Sequence, residues 1–367
     1  MQLKMNTAVM AKEKLGYATG KERGASVKVD CAAGFNPYGV SPQVLDVLKN
    51  DLTPKNITEY PHGLQLQRAI AQFWQPYAQV TEENIVLTDG SMGALYLINQ
   101  AFATPDAAVL TVAPQFPDYI SHAKYLNIRY RPVYLKAERN YQIDIDEMIA
   151  RVDGDLSLIY LDNPNNPTGQ LVALGDLKKL IQAASEQRIC VVIDEAYGDF
   201  AAQEASAACL LGDFENLIVL RSFSKGLGMA GLRAGYLLAS PEICTASAKL
   251  SCPYTISQPV RIAACAALKD SAFVRKTRKA VAKNKQLLSH AIGNKLQMAH
   301  SFEECPICLL IHADPQCDLK EMLLARGILA YSGASFDGLQ KNSVRLRLPR
   351  EDEMPLLLAV LRMIDAG

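Results

Sequence analysis

Between residues 85 and 240 short β-branched and aliphatic runs alternate with helical patterns, and this alternation leaves few architectures open to the chain. The runs are IVLTDG (85–90), AAVLTVAP (107–114), IRYRPVYL (128–135), LSLIYLDNP (156–164), ICVVIDEAY (189–197), LIVLRSFSK (217–225) and RAGYLLAS (233–240). Each ends in a polar or Gly/Pro cluster, as strands do. Segments such as GALYLINQAFA and LGDLKKLIQAASEQR lie between them and repeat apolar residues at helical spacing. The pattern predicts an α/β fold of about seven strands, mostly parallel, with helices on both faces of the sheet. GLGMAGL, between the last two runs, is too short for a crossover helix, so that pair is expected to be antiparallel.

Beyond residue 240 helices dominate. QPVRIAACAALK and AFVRKTRKAVAKNKQLLSHAIGN precede ECPICLLIHA, DLKEMLLARGILAYS, VRLRLP and a closing helix in MPLLLAVLRMIDAG, which reads as a smaller α+β domain joined to the sheet by a long helix. The expected division is an N-terminal arm with part of the small domain at 1–42, a large domain at 43–257 and the small domain at 258–367. The basic residues from Arg275 to Lys285 recur at helical spacing and read as a solvated helix face.

Lys+Arg and Asp+Glu number 38 each, so no global field favours nucleic acid or an anionic membrane, and a local small-molecule site is expected. No apolar run reaches the ~18 to 20 residues that span a bilayer. The nine cysteines are scattered, and the opening MQLKMNTAVMAKEKLGYATGK lacks a signal-peptide core, so a cytoplasmic, reduced protein is expected. Cys305 and Cys308 have C-x-x-C spacing, yet ECPICLLIH reads as a strand entering a core and no second ligand pair accompanies it; no metal is expected.

Open α/β sheets place their ligands at the carboxyl ends of the strands, and there the polar residues concentrate. LTDGSMGAL passes from strand to helix through small residues, leaving backbone N–H groups near Ser91 and Met92 available to a phosphate. In YLDNPNNPTGQ two prolines among Asn163, Asn165 and Asn166 fix an irregular turn that aims an amide into the crevice. VVIDEAY is apolar until Asp194, whose carboxylate emerges from a buried strand end and needs a cation or hydrogen-bond donors. RSFSK sets Ser222 and Ser224 beside Lys225, with Arg233 downstream. A lysine beside phosphate-binding hydroxyls and across from an acidic strand end is what a Schiff-base site requires.

In this order these segments resemble the fold-type I pyridoxal-phosphate enzymes, specifically the class I/II aminotransferases. FNPYG, EYPHG, APQFPDY, NPNNPTG, DEAY, SFSK and AGLRAGY look most like histidinol-phosphate aminotransferases and their relatives, the threonine-phosphate decarboxylases. The resemblance implies transfer of an amino group between an amino acid and a 2-oxo acid, with decarboxylation of the threonine-phosphate type, or a true histidinol-phosphate aminotransferase, as alternatives. Carried over by motif, it gives Lys225 the covalent link to pyridoxal 5′-phosphate and the proton shuttle, and Asp194 the salt bridge to the ring nitrogen. Asn166 and Tyr197 would bond the ring hydroxyl, and Phe116 would stack on the ring. Ser91, Met92, Ser222, Ser224 and Arg233 would hold the phosphate. Tyr60 would reach the neighbouring subunit's cofactor, which implies a homodimer with shared sites. Arg345 in VRLRLP matches the family's substrate-anion arginine, although Arg347 shares its strand face.

Two departures bear on substrate. Where the nearest relatives carry a phosphate-binding arginine in the segment GILAY, this chain has Tyr331, and the first position of their N-x-N-P-Y-G pattern is Gly34. Both changes favour an ordinary, unphosphorylated amino acid, with Gly34 opening room for an α-carboxylate. GLGMAG (226–231) matches G-x-G-x-x-G literally, but the strand pattern after it argues against a dinucleotide site, which needs a helix there.

Overall fold

The seven runs form one sheet: β1 (Ile85–Thr88), β2 (Ala108–Ala113), β3 (Arg129–Tyr134), β4 (Leu156–Asp162), β5 (Cys190–Glu195), β6 (Leu217–Ser222) and β7 (Gly235–Ala239). The coordinates are a computed structural model that describes residues 10, 27–102, 104 and 106–367. The opening run and the first part of the arm placed at 1–42 lie outside the described residues. The strand order is β1-β7-β6-β5-β4-β2-β3. All neighbours are parallel except β7, which runs antiparallel to both β1 and β6, as the short GLGMAGL connection requires. The glycine run 226–231 leads into β7, a strand.

Strands β4, β5 and β6 are buried on both faces, which is why they read as nearly unbroken apolar runs. Ile159, Leu161, Val191, Ile193, Leu217 and Val219 enter one core, whereas Leu158, Val192, Ile218 and Leu220 enter the core on the other face. The residues that end these strands meet at one edge of the sheet, and there the chain turns polar.

The smaller unit holds an antiparallel sheet of β8 (Leu296–Met298), β9 (Ile307–His312), β10 (Tyr331–Ser332) and β11 (Ser343–Arg347), in the order β10-β11-β9-β8. A two-residue ladder pairs Val29–Asp30 with Ile328–Leu329 and ties the arm to this unit. Cys305 and Cys308 are buried in its core. The helix Gln258–Lys269 buries Ala263, Ala264 and Ala267 in the large core, packed on the helices Pro42–Asn50 and Gln65–Trp74. A cut at 257/258 separates that helix from its core. We draw the division within the helix Ser271–Ser289, whose Val274 belongs to the large core and whose Val281 and Leu288 belong to the small one.

That helix corrects one expectation. Arg275, Lys276, Lys279 and Lys283 are exposed, but Lys285 is buried. Its ammonium donates to Ser301 Oγ (2.7 Å), Phe302 O (2.7 Å) and Ile307 O (3.0 Å), so three acceptors from the loop before β9 and its first residue replace water around the charge. Helical spacing alone reports which way a lysine points, not what meets it there. Among the described residues no helix is long and apolar enough to cross a membrane.

Candidate active site

A cavity of about 290 Å³ opens at the carboxyl ends of β4, β5 and β6. It is lined by Ser91, Met92, Phe116, Asn166, Asp194, Tyr197, Ser222, Ser224, Lys225 and Arg233, residues brought there from six separate segments of sequence. Asp118 and Asp162 complete its charged lining.

The NPNNPTG turn spends two of its three amides on itself. Asn163 Oδ1 accepts from Val172 N (2.7 Å), and Asn165 Nδ2 donates to Asp162 Oδ1 (2.8 Å) while its Oδ1 accepts from the Thr168 hydroxyl (2.6 Å). Asn166 is the third, and its Oδ1 is buried with no hydrogen-bond partner among the described residues. Gly169 closes the turn at φ +76°, where a Cβ would collide with Ile307 O of the small unit. Phe302 N donates to Gly169 O (2.9 Å), so the small unit braces this turn directly.

Asp194 takes hydrogen bonds from Ala196 N (3.0 Å) and the Tyr160 hydroxyl (3.1 Å). Burial nonetheless pushes its carboxyl up to about 6, against the pull of those two bonds. Tyr160 is held by stacking on Tyr119, ring centres 3.8 Å apart. Lys225 Nζ lies 5.5 Å from the centre of the Tyr197 ring. Burial, with help from Arg233, pushes its ammonium down to about 8, while Asp194 pulls the other way. The Tyr197 hydroxyl, like Asn166 Oδ1, is buried with no hydrogen-bond partner among the described residues.

At the opposite end the helix Ser91–Phe102 begins with its N–H groups directed at the cavity. Arg233, itself at φ +52°, donates to Ser224 Oγ (3.3 Å), Ala230 O (3.1 Å) and Asp89 O (3.3 Å). Gly90, at φ +83°, lets the guanidinium approach: a Cβ there would stand 2.7 Å from Arg233 Nη2. Ser222 Oγ accepts from Ser224 N (3.1 Å). A helix N-terminus, two hydroxyls and an arginine together make a site for a phosphate dianion.

Three expected residues lie off this lining. Tyr60 is 71% exposed and stacks on Tyr254, ring centres 4.8 Å apart. Arg345 is fully buried on β11, donates to Ala32 O, and has its guanidinium 5.1 Å from the Tyr331 ring centre. Burial and then Arg347 push Arg345 down to about 9. Gly34 is buried two residues beyond that Ala32 carbonyl. Arg347 donates to Asp30 O and to Leu348 O (3.2 Å) and lies 4.9 Å from the Phe35 ring centre.

Sequence reasoning missed two groups. Asp162 is the last residue of β4 and Asp194 the last but one of β5, each reached after an apolar run, so the signal used for Asp194 was present there too. Arg221 is buried between Glu195 (2.8 Å) and Asp199, beneath the Lys225 segment, where a Cβ at Gly226 would collide with Asp199. Arg221 lies 22 and 26 positions from its two carboxylates, and nothing local pairs them.

The model for the family described as aminotransferase class I and II matches residues 26–361. The histidinol-phosphate aminotransferase of Sodalis glossinidius is 32% identical over 78% of this chain and 79% of its own length. That of Blochmanniella floridana is 30% identical over 84% of this chain and 86% of its own. Among solved structures, an aspartate aminotransferase from Thermus thermophilus with maleate superposes with a TM-score of 0.87 at 21% identity, covering 99% of this chain and all of that one. A histidinol-phosphate aminotransferase from Sinorhizobium meliloti in complex with pyridoxal-5′-phosphate gives 0.85 at 22%, covering 100% of this chain and 98% of its own. At those identities the superpositions show the shared fold.

Proposed function

The chain belongs to the aminotransferase class I and II family and is an aminotransferase, and we propose that it uses pyridoxal phosphate, held in the cavity described above, to exchange amino groups between unphosphorylated α-amino acids and 2-oxo acids. The observation that carries this reading is the pair of orphaned buried oxygens, Asn166 Oδ1 and Tyr197 Oη, set between Lys225, Asp194 and the anion end of one cavity. Buried polar atoms cost about 1 to 3 kcal/mol each when unpaired, so a ligand with a polar ring edge is favoured there. The Tyr197 hydroxyl can donate to such a ring oxygen, and the Asn166 amide can turn to do so.

Bound in this cavity, pyridoxal phosphate supplies a protonated aromatic ring that draws off the electron pair left when the substrate α-carbon loses its proton. Asp194 keeps the ring nitrogen protonated. Arg233, Ser222, Ser224 and the N–H groups at Ser91 and Met92 would hold its phosphate, and Phe116 would pack against its ring. Lys225 Nζ, with its lowered proton affinity, takes the α-proton and returns it. Arg345 binds the α-carboxylate and so fixes which bond at the α-carbon is broken. The test is a screen of single amino acids against the purified enzyme, watching the cofactor spectrum pass to its aminated form; no response to any amino acid would sink the reading.

Tyr331 bears on the substrate. Its ring covers the Arg345 guanidinium, and its neutral hydroxyl offers too little to offset desolvation of a phosphate dianion. Arg345→Ala should raise KM for carboxylate substrates roughly 10- to 100-fold, the loss of one charge-assisted contact. Histidinol phosphate should be a poorer amino donor than unphosphorylated amino acids when both are assayed with one 2-oxo acid. The names of the relatives favour the second reading, a histidinol-phosphate aminotransferase, and a clear preference for that donor would establish it, with Arg347 as the cation to examine.

The exposed Tyr60 completes the site of a second copy. Mixing Tyr60→Phe subunits with Lys225→Ala subunits should place both lesions in one site of each heterodimer and leave the other intact, restoring activity. No recovery in verified heterodimers would mean that each site is built within one chain.

A further inference from the structure

Asp162 and Asp194 are register partners at the ends of neighbouring parallel strands, and both line the cavity. The Asp162 carboxylate is buried and takes hydrogen bonds from Asn165 Nδ2 (2.8 Å), Asn166 N (2.9 Å) and Phe116 N (3.2 Å). Phe116 comes from the loop after β2, and Asn166 from the turn after β4, so one oxygen, Oδ2, joins two loops that flank the cavity. All three donors are neutral. A carboxylate held this way is a costly choice for a loop clamp, since a neutral acceptor would serve two main-chain N–H groups without the desolvation of a charge.

We propose that Asp162 is a positioning residue that sets the spacing of Phe116 and Asn166 about the cofactor ring and adds a second negative charge beside Asp194 that favours the cationic form of the bound cofactor. The inference rests on the pyridoxal-phosphate reading. Asp194 from β5, Tyr160 from β4 itself and the Tyr197 hydroxyl face this carboxylate, and Lys225 and Arg233 are the cations on the same lining. Burial, reinforced by Asp194, holds Asp162 up to about 7 with no cation bound to it, and a cation in the cavity draws it down. The coupling is mutual: an ionised Asp162 raises the pH at which the bound cofactor loses its proton and changes colour.

Asp162→Asn keeps an oxygen for both main-chain donors and removes the charge. Asp162→Ser removes the charge and most of the clamp. In the holoenzyme both should lower the pH midpoint of the cofactor's colour change by about one unit, the effect of one charge at short range in a partly screened site. Pyridoxal phosphate should bind the Asn apoprotein about tenfold more weakly than wild type, and the Ser apoprotein more weakly still. A clamp without an electrostatic role would weaken binding and leave the midpoint in place, so an unchanged midpoint in Asp162→Asn overturns the proposal. Should that variant fail to fold, the midpoint of Asp162→Ser decides the same point. Wild-type protein that takes up no pyridoxal phosphate would remove the cofactor reading and this inference together, whereas a coloured wild type with unshifted variants would remove the inference alone.

Discussion

Lys225→Ala should give a folded protein that carries no yellow colour with pyridoxal phosphate and has lost turnover by several orders of magnitude. The expectation follows from where the amine sits and how it is held. A lysine bonds to an aldehyde only as the free amine, and an ordinary lysine at neutral pH is uncharged in roughly one molecule in three thousand. With its proton affinity pushed down to about 8, Lys225 is uncharged in a far larger share of molecules, on the order of one in ten. Burial and Arg233 do this work, so Arg233→Gln should move the lysine back towards its usual range as well as weaken phosphate binding. The side chain lines the cavity rather than a packed core, so its removal should leave the melting temperature of the apoprotein nearly unchanged. Persistence of the yellow band in Lys225→Ala, with a normal melt, would transfer the cofactor link to another residue.

Legibility in the sequence follows locality. The antiparallel β7 could be read from the seven residues before it, because so short a connection cannot cross a sheet. Ser222, Ser224 and Lys225 share a strand end, and Asn166 sits in a turn that prolines dictate, so each carries its signal within a few residues. Lys285 was opaque for the opposite reason: its acceptors lie 16 to 22 positions away, at the entry to β9 of the small unit. The pairing of Arg221 with Glu195 and Asp199 likewise needs two neighbouring strands in register, and no window of sequence contains it. Tyr60 and Arg345 could be named only by resemblance. Nothing in an exposed tyrosine, or in an arginine within an apolar strand, says locally what it will touch.

Asp194→Asn should reduce turnover by two or more orders of magnitude while leaving the fold intact. The native carboxylate takes one bond from Ala196 N and one from the Tyr160 hydroxyl. An asparagine oxygen can keep the first, and the tyrosine hydroxyl can turn to accept from the amide nitrogen, so the packing of Tyr160 on Tyr119 is undisturbed. What the amide cannot supply is charge. Burial raises the carboxyl to about 6 even against the pull of Lys225, so a second positive partner close to it would gain from the interaction. A protonated ring nitrogen in that position draws Asp194 well below its ligand-free value, and by the same coupling Asp194 raises the proton affinity of the nitrogen. A neutral amide at this position could not hold that proton, so the charge withdrawal that the cofactor would supply would weaken, and removal of the α-proton by Lys225 should slow in proportion. The measurement is single-turnover decay of the cofactor band with saturating amino acid, in wild type and Asp194→Asn carrying equal amounts of cofactor. A rate within a factor of about three of wild type would show that some other group holds the ring proton, and the buried neighbour Asp162 would then be the carboxylate to replace next.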